Sequence, residues 1–221
     1  IADSVHWGQV LSSPTAYVVV EVEDHQGHAR DWGLKVLANL SDQLADSPKS
    51  LKATREIAIK SMEERVTSLI LLVPVGMVVY VVMLGEGRVS LKRGSTLSVL
   101  MEKPGAISGE VREGDMILLM SKSVSALLTH EETNALFDHS DAPAVAEKMT
   151  LAIHSHNDAP EHAVAGSAAF VIHVKGLIPA EDERGIKFFV LGLAAPAKAR
   201  LSIRFWQVGT VAEMSARIHQ H

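Results

Sequence analysis

Histidine is the main candidate for metal binding or proton transfer in this chain, which holds 11 histidines and no cysteine. One group, His154, His156 and His162, has the donor type that binds zinc. The first two stand two positions apart on a predicted helix, so their side chains point apart, and Pro160 interrupts the segment. A second group lies in the loop at 24–28, with sequence DHQGH. We expect solvated loop histidines at both places rather than metal sites.

The chain lacks the short motifs of several enzyme classes. It has no Gly-x-Ser-x-Gly elbow, no P-loop and no dinucleotide fingerprint. The absence of cysteine excludes a thiol nucleophile and a disulfide framework. A net charge of −5 argues against non-specific polyanion binding by the whole chain. Charge shifts along the sequence, because residues 184–221 hold six Lys or Arg and one acid. The shift predicts two units, 1–176 and 177–221.

The order of predicted elements indicates the fold class. Apolar periodicity and turn residues predict strands at 16–22, 67–73, 77–84, 88–92, 96–100, 116–120 and 167–174, and helices at 31–44, 50–64, 124–128 and 142–154. A further helix begins at Thr129, where Glu132 completes a capping box. This order favours an α+β fold with mainly antiparallel sheet.

The segment 66–84 carries no charge over 19 residues, which is long enough to span a membrane. Pro74 and Gly76 lie at its middle, and Pro-x-Gly marks a turn. Val and Ile dominate it, as in buried strands. We therefore predict two buried strands and no membrane span.

Four segments carry a resemblance to a known family. VVVEVEDHQGHARDWG (18–33) resembles a strand ending in Asp-Gly, then Gly-Gly-His and a helix. MVVYVVMLGEGRVSLKRGSTLSVL (77–100) resembles a strand, Gly-Asp-Ser-Arg and a hairpin. GEVREGDMILLMSKSVSALLTHEETNALF (109–137) resembles a strand ending in Ser-Asp-Gly, and GSAAFVIHV (166–174) a last strand after Asp-Asn. In this order the segments resemble the metal-dependent protein phosphatases (PPM, protein phosphatase 2C-like). The resemblance implies an α-β-β-α sandwich of two sheets.

The departures from the family pattern fall on its metal-site positions. Such phosphatases hold two divalent cations with carboxylates, and the metals generate the attacking hydroxide. The family's Asp-Gly is Glu23-Asp24 here, and the Asp of Ser-Asp-Gly is Lys122. The Asp-Asn before the last strand is Gly166-Ser167. At least two metal ligands implied by the resemblance are therefore absent.

Lys122 also places an ammonium where the family holds a dication. One hypothesis is that Glu23 or Asp24 faces it, so that an ion pair replaces the metal; the alternative is that Lys122 points to solvent. Either arrangement favours a pseudophosphatase with no catalytic residue and no cofactor. The open alternative is a divergent phosphatase that uses manganese or magnesium through Glu23, Asp24, Glu86 and Asp115.

The C-terminal segment 191–206, LGLAAPAKARLSIRFW, is similar to a motif in the large subunit of type I-C CRISPR complexes. A predicted strand pair, 187–193 with 200–206, would place Arg200 and Arg204 on one face. They are candidate phosphate or nucleic-acid contacts. The alternative is a packed hairpin with both arginines in solvent, followed by a helix at 211–218.

Taken together, the sequence predicts a pseudophosphatase domain, 1–176, with a basic hairpin-helix extension, 177–221. We expect it to act as a regulatory or protein-interaction module with a protein partner rather than nucleic acid. A subunit of a nucleic-acid complex stays as a further alternative. No signal peptide is visible, so we expect a cytoplasmic location.

Overall fold

The structure is a computed structural model, and it describes residues 5–13, 15–137, 141–156, 166–175, 179–181, 187–189 and 205–208. The strands in these ranges are β1 (His6–Ser12), β2 (Tyr17–Glu23), β3 (Val66–Val75), β4 (Val78–Gly85), β5 (Gly87–Arg93), β6 (Thr96–Met101), β7 (Gly105–Glu110), β8 (Met116–Ser121), β9 (Ala169–His173), β10 (Pro179–Glu181), β11 (Lys187–Phe189) and β12 (Phe205–Val208). The helices are α1 (Ala29–Gln43), α2 (Leu51–Ser61), α3 (Lys122–Leu127), α4 (His130–Leu136) and α5 (Ala142–Ser155).

Ten of these strands form two five-stranded antiparallel sheets. The first sheet has the order β1-β2-β3-β4-β7, and the second has the order β12-β9-β8-β5-β6. Strands β10 and β11 pair with each other. The two sheets and the five helices confirm the predicted α+β class.

Three apolar layers hold the elements together. The central layer lies between the sheets, where Tyr17 of the first sheet meets Phe170 of the second edge to face, with ring centroids 5.5 Å apart. A second layer packs α1 and α2 on the outer face of the first sheet. A third packs α3, α4 and α5 on the outer face of the second sheet. The layers are consistent with the α-β-β-α sandwich that the resemblance implies.

The apolar stretch 66–84 forms two strands, as predicted. β3 and β4 pair from Ser68 with Gly85 to Val75 with Val78, and Gly76 in the turn has a φ of 60°. β3 is buried at eight of its ten positions because helices cover one face and the second sheet covers the other. No helix in the described part of the chain is long and apolar enough to cross a membrane.

Local sequence signals account for the helix starts. Ser50 accepts the backbone N–H of Ala53 and caps α2. The capping box predicted at Thr129 and Glu132 is present at the start of α4. At α1 the helix lies so close to β1 that a side chain at Gly33 would meet the ring of Trp7.

Three features of the fold differ from the sequence prediction. β1 and β7 were not predicted, because each is interrupted by glycine and has few β-branched or aromatic residues. The described parts of the predicted pair 187–193 and 200–206 do not pair with each other. Instead, β11 pairs with β10, and β12 pairs with β9. The remainder of that hairpin and the predicted helix at 211–218 lie outside the described residues.

Candidate functional site

Several strand ends bring charged side chains together at one end of the sandwich. β2 ends at Glu23, Glu86 joins β4 to β5, and β8 leads into α3 at Lys122. Sheet register brings these ends together, because Gly87 pairs with Ser121 at the end of β8. We call the group the strand-end cluster, and it consists of Glu21, Glu23, Glu86, Lys122 and Ser123.

Lys122 forms an ion pair within this cluster. Its Nζ lies 3.0 Å from Oε1 of Glu86, and the lysine side chain is 39% exposed. The hydrogen bond to Glu86 raises the pKa of the Lys122 ammonium, and the charges of Glu23 and Glu21 act in the same direction against partial desolvation. The hypothesis was that Glu23 or Asp24 pairs with Lys122; the partner in the structure is Glu86, Asp24 pairs with Arg65 instead, and Glu23 acts on Lys122 through its charge.

Glu21 is a member of the cluster that the sequence analysis missed. The residue is only 4% exposed, and its two carboxylate oxygens accept the backbone N–H of Ser123 at 3.0 Å and the Ser123 hydroxyl at 2.7 Å. These charge-assisted bonds let a carboxylate stay buried. The sequence did contain a signal for its burial. Side chains alternate between the two faces of a strand, so Glu21 shares the inward face of β2 with Tyr17 and Val19.

Asp24 is held away from the cluster. It is 3% exposed, its Oδ1 lies 3.1 Å from Nε of Arg65, and it also accepts the backbone N–H groups of Gln26 and His28. Burial alone would raise the pKa of Asp24, but the Gln26 N–H, the Arg65 charge and the His28 N–H together lower it. Asp24 is therefore a structural anion that fixes the start of the loop before α1.

The other family positions supply little to the cluster. Glu23 is 31% exposed, and its Oε1 lies 3.6 Å from Nε2 of His25. A side chain at Gly166 would meet His6, because this glycine packs against β1. Ser167 is buried. The position of the family's Asp-Asn therefore carries no carboxylate in this chain.

Asp115 lies at the opposite end of the sandwich. It precedes β8, whereas Lys122 follows it, so six strand residues, or about 20 Å, separate the two. Both oxygens of Asp115 bond Arg93, at 2.9 Å and 2.7 Å, and one also accepts the Arg112 N–H. The hydrogen bond to Asp115 raises the pKa of the Arg93 guanidinium. The structure thus excludes Asp115 from a shared site with Glu23.

The cluster does not fit a pair of divalent cations. An ammonium, Lys122, stands where the resemblance to the PPM family implies a metal ligand, and the oxygens of Glu21 and Asp24 already accept hydrogen bonds from protein groups. Hard cations require several anionic oxygens in one place. Among the described residues no three His, Cys, Asp or Glu side chains are grouped to hold a metal ion.

The predicted histidine and arginine positions add no described site. His156 Nδ1 lies 2.8 Å from the Ala152 carbonyl oxygen, and its Nε2 lies 3.2 Å from Glu132. His162 lies outside the described residues, as do Arg200 and Arg204.

Solved structures with the same fold are protein phosphatases. The catalytic domain of the serine/threonine phosphatase PstP, in complex with two manganese ions, superposes with a TM-score of 0.58 at 14% identity, over 74% of this chain and 89% of that chain. The phosphatase MsPP from Mycobacterium smegmatis gives 0.56 at 16% identity, over 76% and 91%. PstP/Ppp from Mycobacterium tuberculosis gives 0.55 at 14%, over 69% and 86%. The TM-scores show that this chain shares the fold of these phosphatases, and at such low sequence identities they show the fold alone.

A family model gives the second finding. No curated protein matches the chain in sequence. The model described as CRISPR-associated protein (Cas_Csd1) matches residues 108–221. This match extends the C-terminal similarity seen at 191–206 back through β8, the strand that leads to Lys122. It covers just over half of the 221 residues, and the chain therefore belongs to the Cas_Csd1 family of CRISPR-associated proteins.

Proposed function

We propose that this chain is a pseudophosphatase, a phosphatase-fold domain of a CRISPR-associated protein that acts as a protein-interaction or regulatory module. One observation carries the proposal. The Nζ of Lys122 lies 3.0 Å from Glu86, at a position where the PPM family has a metal-ligating aspartate. The ammonium supplies the local positive charge that a dication supplies in a phosphatase.

The neighbouring carboxylates support the same conclusion. Glu21 is bonded to Ser123 and Asp24 to Arg65, so binding of two cations would require at least two buried carboxylates to leave their partners. Leaving a buried donor or cation unpaired costs about 1–3 kcal/mol or more for each group. Metal-hydroxide chemistry has no prepared ligand set in this cluster.

Metal titration tests the proposal directly. Manganese and magnesium are titrated calorimetrically into the chelator-treated full chain, and p-nitrophenyl phosphate turnover is measured in the same buffer. We expect no binding at millimolar metal and no phosphate release. Binding of two ions with turnover that disappears on Glu23→Ala plus Asp24→Ala would establish the divergent phosphatase instead.

A pair of variants at one position sharpens this test. Lys122→Asp restores a carboxylate beside Glu86, whereas Lys122→Gln removes the ammonium without adding an anionic ligand. We expect weak manganese binding by the first variant and none by the second, because an anionic carboxylate attracts a hard dication much more strongly than a neutral amide does. Manganese binding by the wild type as strong as that by Lys122→Asp would contradict the proposal.

Membership of the Cas_Csd1 family favours a second candidate function, that of a subunit in a nucleic-acid complex. The basic stretch 184–221 would supply the contacts through Arg200 and Arg204. Fluorescence anisotropy with labelled single-stranded RNA should then show salt-sensitive binding that Arg200→Ala plus Arg204→Ala abolishes. Lys52→Ala plus Lys60→Ala removes the same charge from α2 and serves as the control. Equal losses in both pairs would indicate non-specific attraction only.

Both candidate functions are compatible with the cytoplasmic location expected from the sequence. Fractionation of cells expressing the tagged protein tests that location. Recovery in the membrane or periplasmic fraction would contradict it.

A further inference from the structure

An open apolar gap lies between the two sheets at the edge formed by β6 and β7. The gap has a volume of about 450 Å³, within the usual range for binding sites. Its lining comes from both sheets and is mainly aliphatic: Val79, Val81, Leu91, Leu100, Ile107, Val111 and Ile117. We call it the edge gap. It lies away from the strand-end cluster, beside the Arg93–Asp115 pair.

β7 borders the edge gap, and within the described residues only one of its long sides is paired. It pairs with β4, and in the described part of the chain no other strand pairs with it. Just beyond β7, the N–H of Val111 donates to the Met77 carbonyl at 2.9 Å, toward β4. Backbone groups alternate sides in a strand, so Ala106, Ser108 and Glu110 direct theirs away from β4.

Arg93 confirms this direction and marks one end of the free edge. Its Nη2 donates to the Glu110 carbonyl oxygen at 2.9 Å, on the side away from β4. The N–H and C=O groups of Ala106 and Ser108 are thus presented to an incoming chain, as is the N–H of Glu110. Their spacing matches the hydrogen-bonding pattern of one added extended strand.

The edge strand β7 also lacks features that normally prevent strand addition, whereas β6 has a bulge at Leu100 in its pairing with β5. Neither β6 nor β7 contains a lysine, arginine or proline, and their only charged residue is Glu110 at the end of β7. On β6, Val99 and Leu100 are each 37% exposed. An unprotected edge beside exposed aliphatic side chains is typical of an interaction surface.

The charge around the edge gap indicates what kind of chain it would accept. Asp115 balances Arg93 through two hydrogen bonds, and the two remaining charged residues of the lining, Glu110 and Arg112, have opposite signs. The rim is therefore neutral overall. A charged segment would lose hydration there without gaining a counter-charge, which favours an uncharged one.

We propose that β7 binds an extended, uncharged peptide segment of a partner protein as an added strand, whose alternate aliphatic side chains enter the edge gap. This inference rests on the proposed protein-interaction function and names its surface. Backbone bonds to Ala106 and Ser108 supply the register, and contacts with Leu100 and Ile107 supply the preference for aliphatic residues.

The test uses a display library of random peptides of about eight residues, selected on the full chain, with binding of the enriched peptides measured by fluorescence anisotropy. We expect enriched peptides with alternating aliphatic and polar residues. Ser108→Pro removes an N–H that β4 does not use, so the strand is retained while peptide affinity falls about tenfold or more. Ser108→Thr retains the N–H and should bind within about threefold of the wild type.

A second pair of variants tests the edge gap itself. Leu100→Gln changes a side chain that lines the gap, whereas Val99→Gln changes an equally exposed neighbour outside its lining. We expect weaker peptide binding only for Leu100→Gln. Thermal unfolding of all four variants checks that each remains folded.

Three results would overturn the inference. The first is no peptide enrichment over background, and the second is enriched peptides that bind Ser108→Pro as well as the wild type. The third is concentration-dependent dimerisation in ultracentrifugation that Ser108→Pro abolishes, since a second copy would then occupy the edge. These results are independent of the metal titration, in which turnover would refute the pseudophosphatase proposal whatever the peptides do.

Discussion

The bond between Glu21 and Ser123 should stabilise the sandwich measurably, and Ser123→Ala tests it. The hydroxyl of Ser123 lies 2.7 Å from a carboxylate that is 4% exposed. A hydrogen bond to a charged group contributes about 1.5–3 kcal/mol. Alanine is more favourable than serine in a helix by about 0.5 kcal/mol, which offsets part of that loss. The backbone N–H of Ser123 still serves Glu21 after the change, so we expect a net loss of about 1–2.5 kcal/mol.

Ser125→Ala is a matched control in the same helix. The Ser125 hydroxyl donates to the Lys122 carbonyl at 2.9 Å, a neutral bond within α3. Its loss, about 0.5–1.5 kcal/mol, is offset in part by the same propensity gain. We therefore expect Ser123→Ala to cost about 1 kcal/mol more than Ser125→Ala.

Urea unfolding at neutral pH measures both variants. A shift of the midpoint at constant m-value reports the free energy of unfolding. A double-mutant cycle with Glu21→Gln then isolates the pair, and the cost of Ser123→Ala should shrink in that background. Equal costs for the two serine variants, or an unchanged cost in the Glu21→Gln background, would refute the view that Glu21 is a buried anion held by Ser123.

Three further predictions concern pH and packing. The fold lowers the pKa of Asp24 below its ordinary value near 3.8, so its stabilisation is present above that pH and is lost as pH falls through the lowered pKa. Urea unfolding of Asp24→Asn should then depend less on pH in that acidic range. Burial, with the charge of Lys175, lowers the pKa of His173 from 6.5 against the pull of Asp141, so its contribution is lost as pH falls below 6.5. The free energy of unfolding of His173→Gln should therefore depend less on pH than that of the wild type as the pH falls below 6.5. Gly33→Ala should lower the melting temperature despite better helix propensity, because the new methyl group meets the Trp7 ring. In a Trp7→Ala background the same change should raise it.

Most of the sandwich could be predicted from periodicity because its central strands are covered on both faces. β3 and β8 are continuous apolar runs, and such runs bounded by turns indicate buried strands. The edge strands β1 and β7 were not predicted because an edge strand buries little apolar surface and tolerates glycine and polar residues. In β7, for example, Gly105 and Gly109 weaken any strand signal, and pairing with β4 alone defines the strand.

The site was harder to predict because it depends on where side chains turn at strand ends. Motif comparison located Lys122 and Glu86 at family positions, but only the sheet register shows that they meet. Sequence could not show that Asp24 turns to Arg65, since that partner lies 41 residues away at the start of β3. Glu21 lies within a run of valines, and its role was not evident because its hydrogen-bond partner, Ser123, lies 102 residues further along the chain.

Polar contacts join the two sheets at both ends of the sandwich. At one end, Glu21 of the first sheet holds Ser123, which follows the second sheet. At the other end, Arg93 of the second sheet binds the Glu110 carbonyl of the first sheet. Both links use charged side chains, the buried carboxylate of Glu21 and the guanidinium of Arg93. Under the proposed pseudophosphatase function, these two links join the sheets without a metal ion, and the edge gap that we propose as a binding surface lies beside Arg93.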